Sequence, residues 1–219
     1  MRRPQRTTPE YHRALRGVAV AGALLVATPA GALDLAPSAA SFEPAGDSAK
    51  APEGWNDFCE HYDAPACRAA VSDPRDIDAT GKLMAQLTAV NDWVNAWVKP
   101  ESDQAHWGVK DRWDYPIDGY GDCEDYVLLK QLLLTSAGVP QEDLLITVVL
   151  SHGDAGHAVL TVHTRQGDYI LDSQKNDVMP WSRSGYRFVK RQSRNDPNDW
   201  VYIDGVSSTQ PIVVADMGD

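Results

Sequence analysis

The chain has 219 residues, with 20 Lys and Arg against 31 Asp and Glu, 43% hydrophobic residues and 3 Cys. That length and apolar content fit one globular domain with appendages and exclude a disordered chain. A formal charge of −11 argues against nucleic-acid binding, which depends on Lys and Arg neutralising phosphates, and three cysteines allow one bridge and one free thiol but no disulfide scaffold.

Arg2, Arg3, Arg6, Arg13 and Arg16 precede an uncharged run over 17–27 and then Ala30-Gly-Ala32. This is the layout of a secretory signal, so residues 1–32 are expected to direct export and to be removed. An uncleaved anchor is the alternative, although Pro29 and Asp34 close the apolar stretch early for a span. No later apolar run reaches about 18 residues, so an integral membrane protein is not expected. Residues 33–53 are rich in Ala, Pro and Ser without a period and read as a flexible leader. The folded domain is expected over 54–205, followed by a tail over 206–219. Within it, Cys59 and Cys67 enclose Pro65 in a short loop and are expected to be bridged in an oxidising compartment; a zinc pair using His61 is the alternative.

Leu83, Leu87, Val90, Val94 and Trp97 recur at helical steps and predict an amphipathic helix over 83–98, stopped by Pro100. Asn91 and Asn95 stack on one edge of it, either bracing a neighbouring loop or facing solvent. Residues 99–121 show no period and carry Trp107 and Trp113 among glycines, read as packing under tight turns or as binding residues.

Residues 121–138 predict a strongly apolar helix, with Asp122 as N-cap and Gly138 closing its end before Pro140. Cys123 then lies at the positive end of the helix dipole, where a thiolate is favoured. Asp122, Glu124 and Asp125 oppose that charge. Either the three carboxylates simply cap and solvate the helix start, or a bound hard cation taking oxygen ligands, calcium, offsets them.

Three strand-like runs follow, over 144–150, 157–163 and 168–172, joined by connections suited to hairpins. Antiparallel pairing would bring His157, at the start of one strand, to Asp172, at the end of the next. His157 can then serve as base towards Cys123 while Asp172 holds its tautomer. His152 and His163 are the competing bases. His152 sits in a Gly-containing loop, and His163 at the far end of its strand. A last strand is expected over 200–204, and Arg183, Arg187, Lys190, Arg191 and Arg194 form a basic concentration, read as a solvated strand face or as a docking patch. No zinc-protease helix, phosphate-binding loop, hydrolase elbow or EF-hand loop is present in the sequence.

Asp111-Arg-Trp-Asp-Tyr-Pro116, Gly121-Asp-Cys-Glu-Asp-Tyr126 with Lys130, Gly138-Val-Pro140, Gly156-His-Ala-Val-Leu160 and Ile170-Leu-Asp172 resemble the bacterial transglutaminase-like cysteine proteinases. The likeness extends to Asn91, Asn95 and the Asp103…Trp107-Gly108 stretch and covers roughly residues 54–190. It implies an α+β, papain-like or transglutaminase-like fold, with the catalytic Cys at a helix N-terminus packed on an antiparallel sheet that carries His and Asp. It further implies a Cys123–His157–Asp172 triad and a calcium ion held by Asp122, Glu124 and Asp125. The expected activity is that of a periplasmic, calcium-dependent cysteine endopeptidase that cuts the N-terminal region of a large surface adhesin near a di-alanine site, so controlling biofilm attachment. Its expected partners are that adhesin and an inner-membrane cyclic-di-GMP receptor that sequesters the protease. One departure touches the groove: after Trp113 the family commonly continues to Pro and then an acidic residue two positions on, and here Pro116-Ile-Asp118 keeps that charge as the shorter Asp. The same thiol chemistry would also serve a transglutaminase or amide-ligating enzyme, and the same fold a non-catalytic peptide-binding module.

Overall fold

The computed structural model describes residues 41–69, 74–151 and 153–203. The signal segment expected over 1–32, the tail over 206–219 and His152 lie outside them.

The apolar run at Leu144–Leu150 (β4) is buried along its whole length, because both of its faces are covered. Leu144, Ile146, Val148 and Leu150 point into the main core, while Val149 belongs to a second cluster on the opposite face. β4 pairs antiparallel with Gly156–Thr164 (β5), from Leu144 opposite Val162 to Leu150 opposite Gly156. β5 in turn pairs with Gly167–Leu171 (β6), from Leu160 opposite Leu171 to Thr164 opposite Gly167. The sheet is completed by Ala45–Ala49 (β1), Met179–Pro180 (β7), Arg187–Gln192 (β8) and Trp200–Ile203 (β9), in the order β1-β9-β8-β4-β5-β6-β7. Every pairing in it is antiparallel. Two short strands, Lys99–Pro100 (β2) and Tyr120–Gly121 (β3), form a separate parallel pair.

Among the described residues four α-helices accompany the sheet: Glu53–His61 (α1), Gly81–Trp97 (α2), Asp103–His106 (α3) and Cys123–Ser136 (α4). Cys123, Val127, Leu128 and Leu134 of α4 pack with Ala158, Leu160 and Val162 of β5, and each fully buried aliphatic side chain contributes about 1.5–3 kcal/mol. Tyr126 faces the other way, onto Val94 and Val98. Thr80 caps α2 by accepting from the Leu83 N–H at 3.2 Å. Gly138, at φ +90°, ends α4 as expected. Cys59 and Cys67 are bridged, with Cα atoms 5.6 Å apart, which takes both sulfurs from any zinc site with His61.

Three expectations are corrected. The leader expected over 33–53 is in part structured: Ala45–Ala49 is the edge strand of the sheet, set against β9 with Ala45 opposite Ile203 and Ala49 opposite Trp200. Its Ala, Gly, Asp and Ser residues carry no apolar alternation, so only the backbone ladder reveals it. Trp97, placed on the buried stripe of α2, is 41% exposed and stacks on Trp93 at 5.5 Å, because the helix ends there and the core face is completed by Leu87 and Val94. The basic residues do not make one solvated face either. Arg191 is buried with its Nε 3.4 Å from Glu43, Arg194 reaches Asp143 at 2.6 Å and Asp76 at 2.8 Å, and Arg187 reaches Asp154 at 2.8 Å. Among the described residues no helix is long and apolar enough to cross a membrane.

Candidate active site

Asp122 precedes α4 with an extended backbone, so Cys123 takes the first helical position. The close approach of β3 to the first turn of α4 requires Gly121. A Cβ there would lie 2.5 Å from Asp125 Oδ2, the atom that accepts the Asp122 N–H at 3.3 Å. Cys123 is buried and its Sγ accepts the Ala158 N–H at 3.4 Å. The residue next to His157 therefore rests on the sulfur. On the other side the thiol donates to Glu124 Oε2 at 3.1 Å. Burial, followed by the charges of Glu124 and Asp122, pushes the Cys123 thiol well above its ordinary range.

His157 and Asp172 meet as the strand pairing predicts. The hydrogen bond joins His157 Nε2 and Asp172 Oδ1 at 2.8 Å, with both side chains buried. It occupies Nε2 and so leaves Nδ1 as the ring nitrogen free to exchange a proton with a nucleophile. Burial works to raise the Asp172 carboxyl, but the hydrogen bond and charge of His157 and a hydrogen bond from Tyr186 hold it below the usual range. His163 is committed elsewhere, with Nδ1 2.6 Å from Asp168 Oδ1 at the far end of β5.

The loop after β6 that carries Asp172 is held from α2. Asn91 Nδ2 donates to the Lys175 and Asn176 carbonyls, each at 2.9 Å, and Asn95 Nδ2 donates to the Asp172 carbonyl at 2.9 Å. The two asparagines thus brace the loop. Trp113 is buried and stacks edge-on against Trp55, whereas Trp107 is exposed beneath the Arg112 guanidinium at 4.1 Å.

The three acidic residues beside Cys123 do not stand alone. Asp103, at the start of α3, and Asp111 complete two constellations: Asp103, Asp122 and Asp125, and Asp103, Asp111 and Glu124, with one ligand atom per residue in each lying within 4.8 Å of the others. Asp103 N–H donates to Asp122 Oδ2 at 3.3 Å, and Asp125 Oδ1 accepts the Asp114 N–H at 2.8 Å. Asp122 Oδ1 and Glu124 Oε1 are buried with no hydrogen-bond partner. Burial and then mutual repulsion push Asp122 up to about 7 and raise Glu124 and Asp125 well above the ordinary carboxylate range. The nearby guanidinium of Arg112 is turned to Asp114, at 2.9 Å. Oxygen-only donors, buried and short of positive charge, with two unpartnered atoms, suit a hard divalent cation.

The residues that sequence reasoning left out of the site are Asp103, Asp111 and Tyr186. The two aspartates lie in motifs that were read as resemblance without a ligand role. Their only local mark is acidity, Asp103 at the start of the four-residue α3 and Asp111 in irregular chain.

Residues 45–208 match the family of bacterial transglutaminase-like cysteine proteinases. No curated protein matches the chain. Among solved structures, calcium-bound LapG of Legionella pneumophila is 28% identical with a TM-score of 0.47, the match covering 59% of this chain and 75% of that one. The EGTA-treated form of the same protein is 29% identical with a TM-score of 0.46, over 58% and 70% of the two chains.

Proposed function

Since the chain belongs to the bacterial transglutaminase-like cysteine proteinases, we propose that it is a calcium-dependent endopeptidase working through Cys123, His157 and Asp172. The observation that carries this is the meeting of three distant segments: the thiol at the start of α4, the Ala158 N–H on its sulfur, and the buried His157–Asp172 bond next to it. His157 Nδ1 takes the thiol proton and Cys123 attacks the peptide carbonyl. The helix N-terminus favours the developing oxyanion. His157 then protonates the leaving amine, and a thioester remains on Cys123. Water, deprotonated by His157, releases the acid and restores the thiol. Asp172 keeps the ring oriented and balances its charge throughout.

Asp122, Glu124 and Asp125, with Asp103 and Asp111, would hold the calcium ion. When bound, it supplies the positive charge that offsets the carboxylates opposing the Cys123 thiolate. In the substrate reading, the chain is exported to the periplasm and cuts a large surface adhesin in its N-terminal region, at a di-alanine site. An inner-membrane cyclic-di-GMP receptor sequesters it. The basic, apolar and small-residue pattern over 1–32 supports export, and the likeness of the Gly121–Tyr126 and Gly156–Leu160 motifs supports the substrate class.

The test is incubation of the protein with the N-terminal fragment of the giant adhesin of the same organism. A discrete cut that needs calcium and is absent in Cys123→Ala supports the assignment. A cut that survives Cys123→Ala refutes the mechanism, and isopeptide-linked products would instead identify an amide-ligating enzyme.

A further inference from the structure

Asp172 has two carboxylate oxygens, and only one of them serves His157. Oδ1 accepts from His157 Nε2 at 2.8 Å and from the Gln174 N–H at 2.9 Å, whereas Oδ2 accepts from the Tyr186 hydroxyl at 2.5 Å. Tyr186 belongs to none of the motifs that carry the family likeness. We propose that Tyr186 is a positioning residue for the His157–Asp172 pair, fixing the plane of the carboxylate through its hydroxyl and covering the imidazole with its ring. The inference rests on the hydrolase reading and deepens it.

A carboxylate bonded through one oxygen can rotate about its last torsion, which is soft and two-fold. Partners on both oxygens, drawn from different elements, remove that freedom. The imidazole plane is then set as well, because the Nε2–H bond follows the carboxylate. The Tyr186 ring lies 5.6 Å from the His157 ring at 58°, so it also occupies space from which water would compete for that bond. Burial and the Asp172 charge raise the phenol well above its ordinary range, so its hydroxyl stays a donor at every working pH.

Tyr186 is itself held on three sides. Lys175 Nζ stands 4.2 Å from the ring centroid and donates to the Ser184 carbonyl at 2.7 Å. The Tyr186 N–H donates to Ser184 Oγ at 3.3 Å, and that hydroxyl donates to the Trp181 carbonyl at 2.7 Å. Gly185 makes the turn between them at φ +80°. A side chain needed only to fill space would not require its ring, its backbone N–H and its hydroxyl all to be directed. The cation over the ring face fixes the ring plane, and the carboxylate at the hydroxyl fixes the in-plane direction, towards Asp172.

The test compares the full chain with Tyr186→Phe, which keeps the ring, and Tyr186→Leu, which removes it, all with calcium present. Two readouts need no peptide substrate: the imidazole N–H resonance of His157 in protein carrying nitrogen-15 histidine, and the rate of Cys123 alkylation by iodoacetamide at neutral pH. In Tyr186→Phe we expect the His157 resonance to move and alkylation to slow about tenfold, with melting within a few degrees of the parent. Tyr186→Leu should slow it further, and if that variant does not fold, Tyr186→Phe decides the matter. An unmoved resonance in Tyr186→Phe overturns the proposal. If peptide cutting survives Cys123→Ala, the hydrolase reading fails, and the resonance still decides whether Tyr186 sets the His157–Asp172 bond.

Discussion

Asn95, on α2, donates its side-chain amide to the main-chain carbonyl of Asp172 at 2.9 Å, across 77 residues of sequence. The carboxylate that faces His157 is thus held by its own backbone from a helix that contributes nothing to the chemistry. Asn91, one turn earlier and fully buried, grips the Lys175 and Asn176 carbonyls of the same loop. Asn95→Ala should leave the fold in place, at a cost of about 1 kcal/mol, while the misplaced Asp172 slows Cys123 alkylation by about tenfold or more. Asn91→Ala should cost more stability, since it leaves two carbonyls short of a donor. Denaturant unfolding and iodoacetamide kinetics on each variant check both.

The acidic constellation predicts a specific linkage. Calcium should raise the melting temperature, because it binds buried carboxylates that no cation neutralises in the unfolded chain. Asp103→Asn should weaken that rise even though Asp103 lies outside the Gly121–Tyr126 motif, since it belongs to both constellations. Calcium titrations followed by thermal melts of the parent and Asp103→Asn decide it. An unaltered rise in the variant would restrict the site to Asp122, Glu124 and Asp125.

Cys123, His157 and Asp172 were legible in the sequence because their placement follows from short-range rules. A capped apolar helix puts Cys123 at its start, and one hairpin connection brings the start of β5 to the end of β6. Tyr186, Asp103 and Asp111 were not legible, for a physical reason. Tyr186 and Asp111 reach the site from irregular chain, and Asp103 from the first residue of the four-residue α3, which is too short to show a period of 3.6. Ala45–Ala49 was missed because an edge strand is recognised by a ladder to β9, more than 150 residues away, and not by its own side chains.

Gly54 is required by the core. A Cβ on it would lie 2.2 Å from Trp113 Cδ1 and 2.9 Å from Asp111 Oδ1, and Trp113 is wedged edge-on against Trp55. Gly54→Ala should therefore cost about 1–3 kcal/mol through overpacking, in spite of the better helix propensity of Ala. Because Trp113 donates to Asp111 at 2.9 Å, the variant should also lower calcium affinity. Urea unfolding with and without calcium separates the two effects.

Glu43 gives the fold a pH dependence that is independent of the site. Burial, only partly offset by the Thr161 hydrogen bond and the Arg191 charge, and reinforced by Asp168, pushes its carboxyl up to about 8. In the unfolded chain it titrates near 4.5. The folded state therefore holds the proton more tightly, and the stability from this group is complete below pH 4.5 and lost as pH rises through 8. Glu43→Gln should flatten that decline and stabilise the protein by about 1–3 kcal/mol at pH 8, with little effect at pH 5. Urea unfolding at the two pH values is the measurement, and a parallel loss in parent and variant would contradict it.

Lys130 works in the opposite sense. It lies on α4 two turns beyond Cys123, fully buried, and its Nζ has no hydrogen-bond partner. The Tyr126 ring is 5.8 Å away. Burial lowers its ammonium to about 7, and the Asp172 charge offsets only part of that effect. The unfolded chain, with an ordinary lysine near 10.5, therefore binds this proton more tightly than the folded one. Stability from the neutral amine is complete above pH 10.5 and declines as pH falls through about 7. Lys130→Met fills a similar volume without the charge, so it should stabilise the protein at pH 6 by on the order of 3 kcal/mol. It also removes a positive charge that favours ionised Asp172, so Cys123 alkylation should slow in the same variant. A more stable but less reactive protein would show that the Lys130 charge acts at Asp172 at a cost in stability. A variant that is both more stable and equally reactive would show that the buried charge does not act on Asp172.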